Sequence, residues 1–300
     1  HQPRSLGRGE REGHRMTDGA GNAREAPGVE ADAPPKLYVY AVVPPGDFQP
    51  STAGIDGAPL HLVGDPDGPR AVVHTHSGGP YDGPDDDVKR WILQHSEVIE
   101  DGWQRAGTVL PVSFNVIVRP DPDSGASATA LLEGWLEGSR ASLTQRLQDL
   151  DGTSELRVEI SLDRGTFVED NDEIRTIRTD MADRPAGVRR LLEKRLEKTE
   201  KELVDRAADD LYPAVRARIA QQCLDIEEYR SPTREAGQTP VLMASCLVTE
   251  LGIQGLGAEL TAIQNEQAAI AIRFLGPWPP YSFADMSGSE TQLQARQESR

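Results

Sequence analysis

The sequence predicts an α+β protein of two domains: a modified α+β sandwich, then a unit ordered β-α-β-β-α-β as in ferredoxin-like folds. Three observations carry this. Apolar runs rich in β-branched residues stand at both ends of the chain, over 37–43 and 268–275. Long segments between them place apolar residues at helical spacing. The order of these signals also differs between the halves: strand, hairpin, helix, strand, helix before residue 150, and strand, helix, strand, strand, helix, strand after it. The boundaries that follow are a polar leader over 1–35, domains over 36–152 and 153–275, a docking segment over 276–284 and a tail over 285–300.

Residues 1–35 are Gly, Pro, Glu, Arg and Ala with almost nothing to bury, the composition of a disordered leader; Met16 inside it is a candidate start. The run over 37–43 is a buried strand stopped by Pro44-Pro45-Gly46, and 58–63 and 70–75 flank a Gly-Asp-Pro-Asp-Gly loop that reads as a hairpin. Asp85-Asp86-Asp87 opens a helix, since acids suit the positive end of its dipole, and Val88, Trp91, Ile92, His95, Val98 and Ile99 follow on one face. Residues 108–118 read as a long strand interrupted by Pro111, and 126–150 as one helix.

In the second half, Leu156, Val158, Ile160 and Leu162 alternate with polar residues, a strand with one wet face. After an acidic loop, a helix of about 37 residues starts near Pro185, long enough for a kink or break at Pro213 to be expected. A weak strand over 223–230, a strong one over 241–249 and a helix carrying Ile253, Leu256, Leu260 and Ile263 precede the last strand, which Gly276-Pro277 should stop. Beyond it, Trp278, Tyr281 and Phe283 sit among prolines in a rigid extended segment. Left uncovered they would present a large apolar area, so they are expected to be substantially buried.

Composition excludes several function classes. With 49 acids against 32 bases the net charge is −17, which argues against a nucleic-acid surface and an anionic membrane. Only five bases are lysine, and an acid-rich, lysine-poor chain suits solubility in concentrated salt. Two cysteines, Cys223 and Cys246, read as small core residues in a reducing cytoplasm, and no apolar run reaches the roughly 20 residues that span a bilayer.

The chemical motifs are weak. His74-x-His76 offers two imidazoles but no third ligand, and His95 on an apolar helical face reads as a packing histidine. Gly252-x-x-Gly255-x-Gly257 lacks the spacing of a dinucleotide loop and the following Lys of a phosphate loop, so close packing on the sheet explains it better. The acidic runs 82–87 and 169–173 lack the spaced ligand set of a calcium loop. No Gly-x-Ser-x-Gly elbow is present. No metal, cofactor or catalytic residue is expected.

A strand running into Gly276-Pro277-Trp278-Pro279-Pro280-Tyr281-Ser282-Phe283 resembles the gas vesicle protein family GvpF/GvpL. Three further places agree in order: the strand holding Tyr38 and Tyr40 with Gly54-Ile55-Asp56-Gly57 after it, His95 with Val98, and the stretch from Thr108 through Leu110 and Pro111 to Phe114. The resemblance covers about residues 36–284 and leans to the GvpL branch. It implies a non-enzymatic accessory protein of gas vesicle assembly, cytoplasmic and vesicle-associated, that contacts the shell protein and other accessory proteins. It marks Tyr38, Tyr40, His95, Leu110, Pro111, Phe114, Gly276, Pro277, Trp278, Pro279, Pro280, Tyr281 and Phe283 as motif residues. This chain departs where the family shows Arg and Gly around the Phe, carrying Ser113 and Asn115 instead. The competing readings are a small-molecule enzyme using an inter-domain cleft, and an RNA-binding sheet, which the charge disfavours.

Overall fold

The computed structural model describes residues 34–169, 171–182, 184–230 and 235–284. Most of the expected leader and the tail after 284 lie outside them.

The strand β1 (Lys36–Val43) is the middle of a first antiparallel sheet. It pairs on one side with β3 (Arg70–His76), which pairs in turn with β2 (Leu60–Val63), and on the other with β4 (Leu110–Pro111) and β5 (Ile117–Val118). Tyr40 is an extra residue in the β1–β3 ladder, since Val39 opposes Val73 and Ala41 opposes Val72. That bulge turns Tyr40 and Ala41 to the same face. Leu37, Val39 and Val42 face one core while Tyr38, Tyr40, Ala41 and Val43 face another, so the strand is apolar on both sides. Helix α1 (Asp85–Ala106) covers the tyrosine face; α2 (Ala128–Gly138) and α3 (Arg140–Asp149) cover the other.

Two expectations fail here. Residues 108–118 are not one strand: the Asn115 backbone is left-handed (φ 71°), so the chain leaves the sheet after Pro111 and returns at Ile117. Residues 126–150 are not one helix, because Ser139 (φ −106°, ψ 3°) steps out of helical geometry between α2 and α3.

The second sheet has the order β7-β8-β6-β9, with β6 (Thr153–Asp163), β7 (Asp225–Glu228), β8 (Gln238–Thr249) and β9 (Ile270–Trp278) antiparallel throughout. Helices α6 (Ala186–Ala220) and α7 (Glu250–Glu266) pack on one face against Leu156, Val158, Ile160, Ala244 and Cys246. Cys246 is buried in this core, and the Cys223 thiol donates to the Ile219 carbonyl at 3.1 Å.

The expected acidic loop before α6 contains two helices, α4 (Arg164–Glu169) and α5 (Asp172–Ala182). Their few apolar residues, Val168 and Ile174 among them, reach the core and outweigh the surrounding charge. Pro213 lies inside α6 without ending it; the helix runs 35 residues as one element. Its buried residues, Val204, Ala208, Val215 and Ile219, all fall in the second half, while Val188 and Leu191 near its start are exposed.

The last strand is longer than expected. Glu155 opposes Trp278 and Arg157 opposes Leu275, so β9 carries one extra residue there, and Gly276-Pro277 occupies a bulge rather than a strand end. Proline is accommodated because a bulged residue needs no ladder donor.

Candidate functional site

The octapeptide folds back on its own protein around one carboxyl group. Glu155 of β6 is 1% exposed. It accepts from the Ser282 amide at 2.7 Å, from the Ser282 hydroxyl at 2.8 Å and from the Ser245 hydroxyl of β8 at 2.8 Å. Arg157 Nε stands 4.0 Å away. Three donors on one buried carboxyl supply what burial of that group demands. Sequence alternation puts Glu155 on the wet phase of β6, so nothing in the strand pattern marks it.

Each neighbouring residue then has a place. Gly276 has φ 118°, and a side chain there would meet the Glu155 carbonyl at 2.8 Å and Leu156 Cδ2 at 2.9 Å, so only glycine lets the chain pass. Pro277 is exposed, and Trp278 is half-buried, with the Arg157 guanidinium 5.9 Å from its ring; the same guanidinium lies 5.3 Å from the Tyr229 ring. Pro279 and Pro280 are buried, and their carbonyls accept from Tyr281 and Phe283 in a tight turn. Phe283 and Ala284 pack into the core beneath α2 and α3, and Arg146 donates to the Ala284 carbonyl at 3.0 Å. The segment therefore ties β6 and β8 to α3.

Tyr281 departs from expectation, with 39% of its surface exposed. Its phenol is nonetheless pushed up to about 12, by desolvation first and also by the charges of Glu100 and Glu155. A hydrogen bond with Ser96 on α1 opposes the shift.

The other motif residues form a second group, under α1. The Tyr38 hydroxyl lies 3.1 Å from His95 Nδ1 and accepts from the Asn115 amide; His95 Nε2 lies 3.0 Å from the Val112 carbonyl. A carbonyl only accepts, so Nε2 carries the proton and Tyr38 donates to Nδ1. Tyr40 repeats the pattern: it accepts from the Ile55 amide and lies 2.8 Å from His74 Nδ1, whose Nε2 is 3.3 Å from the Tyr81 hydroxyl. Burial pushes both His74 and His95 down to about 4, with His76 and His61 adding repulsion at His74 and the Val112 bond opposing the shift at His95. Phe114 closes the group edge-on to His95, while Leu110 and Pro111 sit on β4 beside it. With donors and acceptors matched, the cluster is a neutral, hydrogen-bonded core. His76 is hydrogen-bonded to the Gly79 carbonyl, so the two imidazoles of His74-x-His76 serve different partners.

Of the α7 glycines, Gly252 meets the expectation and the other two do not. A Cβ at Gly252 would meet Val248 of β8 and the Gln222 carbonyl, both at 3.2 Å, as close packing on the sheet requires, whereas one at Gly255 would meet the Gln222 side chain at 2.6 Å and Gly257 faces open space.

The family model for gas vesicle synthesis protein GvpL/GvpF matches residues 36–285. The chain belongs to that family. Gas vesicle protein L2 of Halobacterium salinarum is 32% identical over 263 residues, covering 82% of this chain and 90% of that protein. Gas vesicle protein L of Haloferax mediterranei is 27% identical over 247 residues, covering 78% and 73%, and gas vesicle protein F1 of Halobacterium salinarum is 25% identical, covering 87% and 98%. The resemblance thus leans to the GvpL side, and these relatives in halophiles suit the acidic composition. The crystal structure of GvpF from Anabaena has a TM-score of 0.58 at 17% identity, covering 84% of this chain and 96% of that one, which places the fold.

Within the GvpL/GvpF pattern, the departure at Asn115 has a physical reading. Its φ of 71° is one that Gly adopts freely and Asn tolerates better than other residues. Its side chain also accepts from the Tyr81 amide at 2.8 Å and donates to the Tyr81 carbonyl at 3.1 Å. Asn115→Ala is expected to cost about 2 kcal/mol, from lost bonds plus strain, and Asn115→Gly about 1 kcal/mol, from the bonds alone. Urea unfolding of both variants checks the order; equal costs would remove the strain.

Proposed function

We propose that the chain is a non-enzymatic accessory protein of gas vesicle assembly that holds the shell protein, or other accessory gas vesicle proteins, through apolar and backbone contacts. Membership of the GvpL/GvpF family supports the assembly role. The observation that carries the binding mode is β9, which ends the second sheet with its outer edge unpaired among the described residues. Phe274 on that strand is 40% exposed, and Ile272 and Leu275 are half-buried. An apolar strand with a free edge is a template for an extended partner segment, main-chain bonds giving affinity and alternate side chains giving selectivity.

The acidic surface has a different task. At 1 M salt the Debye length is about 3 Å, so exposed charges act only in direct contact and serve solubility. Apolar burial keeps its strength there. Co-purification with the shell protein and each accessory protein, at low and molar salt, tests the reading. Capture is expected to persist in molar salt and to weaken at least about tenfold in Phe274→Asp, the worth of roughly 1.4 kcal/mol. Capture lost in molar salt would overturn the apolar mechanism, and no gas vesicle partner in either condition would overturn the assembly role.

A further inference from the structure

Helix α6 carries its charge in two blocks. The stretch 186–201 holds six bases against three acids in a chain of net charge −17, and three of the five lysines of the chain lie in it. The next nine residues, 202–210, reverse the sign, with four acids against one base.

Both blocks reach one face. Lys194, Lys198, Glu202, Asp205 and Asp209 follow one another at steps of four, four, three and four residues, with Leu191 and Tyr212 three residues outside them at the two ends. That alternation of three and four is the spacing of a helix-packing seam. The five charged side chains are exposed, and Leu191 is 70% exposed. At about 100° per residue the seam lies opposite Leu196, Glu200 and Leu203. Those three hold α6 to its own protein: Leu196 and Leu203 pack on the core, and Glu200 accepts from Arg178 of α5 at 2.9 Å. Lys194, Lys201, Asp205 and Asp209 make no hydrogen bond or ion pair among the described residues. Lys198 and Glu202 stand 3.6 Å apart with both side chains exposed, a pair that is easily exchanged for another.

The order of the signs decides the occupant. A two-fold axis sets residue i of one subunit against residue j of the other, and j against i. Placed between residues 201 and 202 of two antiparallel α6 helices, it sets Lys194 against Asp209, Lys198 against Asp205 and Lys201 against Glu202, each pair made twice, and Leu191 against Tyr212 at both ends. Every charge on the seam then meets its opposite over about 30 Å of helix. A parallel pairing would set like against like, and a nucleic acid or anionic membrane would meet bases along one half of the seam and acids along the other.

We propose that a second copy of this chain docks on the 191–212 face of α6, giving an antiparallel two-fold dimer held by these ion pairs. Charges opposed in register act by direct contact, so molar salt weakens the dimer without reversing its geometry.

Sedimentation equilibrium of the full chain in about 0.1 M and in molar salt measures the association. A monomer–dimer equilibrium is expected, with Kd raised at least about tenfold by molar salt. Lys194→Glu with Lys198→Glu makes the seam acidic, and Asp205→Lys with Asp209→Lys makes it mainly basic, so each double variant alone is expected to be monomeric. An equimolar mixture of the two should restore the dimer as a heterodimer, because every opposed pair regains opposite signs. The four positions are exposed, so the unfolding midpoint should stay near that of the parent, and Glu97→Lys, an exposed acid on α1, should leave the dimer intact. A parent that stays monomeric in low salt up to about 0.5 mM, a dimer that survives both double variants, or a mixture that stays monomeric overturns the proposal. A monomeric parent that binds poly-glutamate through the same lysines overturns it in favour of an acidic partner.

Discussion

Replacing Glu155 by alanine is expected to lower the unfolding midpoint by roughly 8 °C, because about 3 kcal/mol is lost when a buried acceptor of three hydrogen bonds disappears. The Ser282 amide and both serine hydroxyls would be left facing an apolar methyl. Glu155→Gln should not rescue this fully, since its NH2 group turns donors toward donors. Ser282→Ala removes one of the three bonds and is expected to cost about 1 kcal/mol. Calorimetry of the three variants gives the ranking. Limited chymotrypsin digestion supplies a second readout, with cleavage at Tyr281 and Phe283 appearing in Glu155→Ala under conditions where the parent resists. An unchanged midpoint in Glu155→Ala would mean that the octapeptide contributes nothing to the fold.

Stability should fall with acid as the two buried histidines are forced to take up protons. His74 and His95 are held neutral in the folded chain down to about 4, against an ordinary value of 6.5. Between those values the unfolded chain binds more protons than the folded one, so the free energy of unfolding decreases as pH falls. The contribution is fully present above 6.5 and is lost as pH drops toward 4. Each shift of about 2.5 pH units is worth roughly 3 kcal/mol, and the slope approaches about 1.4 kcal/mol per pH unit per histidine. Urea unfolding at pH 7.5, 6 and 4.5 measures it. Replacing His95 by Gln should lower stability at pH 7.5 yet remove about half the slope, which separates titration from packing. A flat profile across this window would contradict a neutral buried pair.

The parts of this fold that depend on local pattern were legible in the sequence. The buried β1 run, the acid-started α1, the alternation of β6 and the proline-aromatic segment that begins within β9 each carry their signal within a few residues. Features set by pairing across the chain were not. That Tyr38 meets His95 and Tyr40 meets His74 depends on a bulge at Tyr40 and on the register of β1 with β3, which no composition records. Glu155 was invisible because it occupies a position where a polar residue is ordinary, and only the fold brings Ser245 and Ser282 to it. Helices α4 and α5 are not legible because charge dominates their sequence, although Val168 and Ile174 are buried. The exposure of Tyr281 is not legible in the sequence, since counting aromatics gives an area but not which ring the fold covers.

Native-state hydrogen exchange at the Ser282 amide tests most directly whether the octapeptide is an internal clasp rather than a free tail. The amide donates to a buried carboxyl at 2.7 Å, so in the parent it is expected to exchange only through the opening that frees β6, with protection close to that of the β6 amides. In Glu155→Ala that protection should collapse while the β1 amides keep theirs. Exchange of Ser282 at the rate of an unstructured peptide in the parent protein would contradict the clasp.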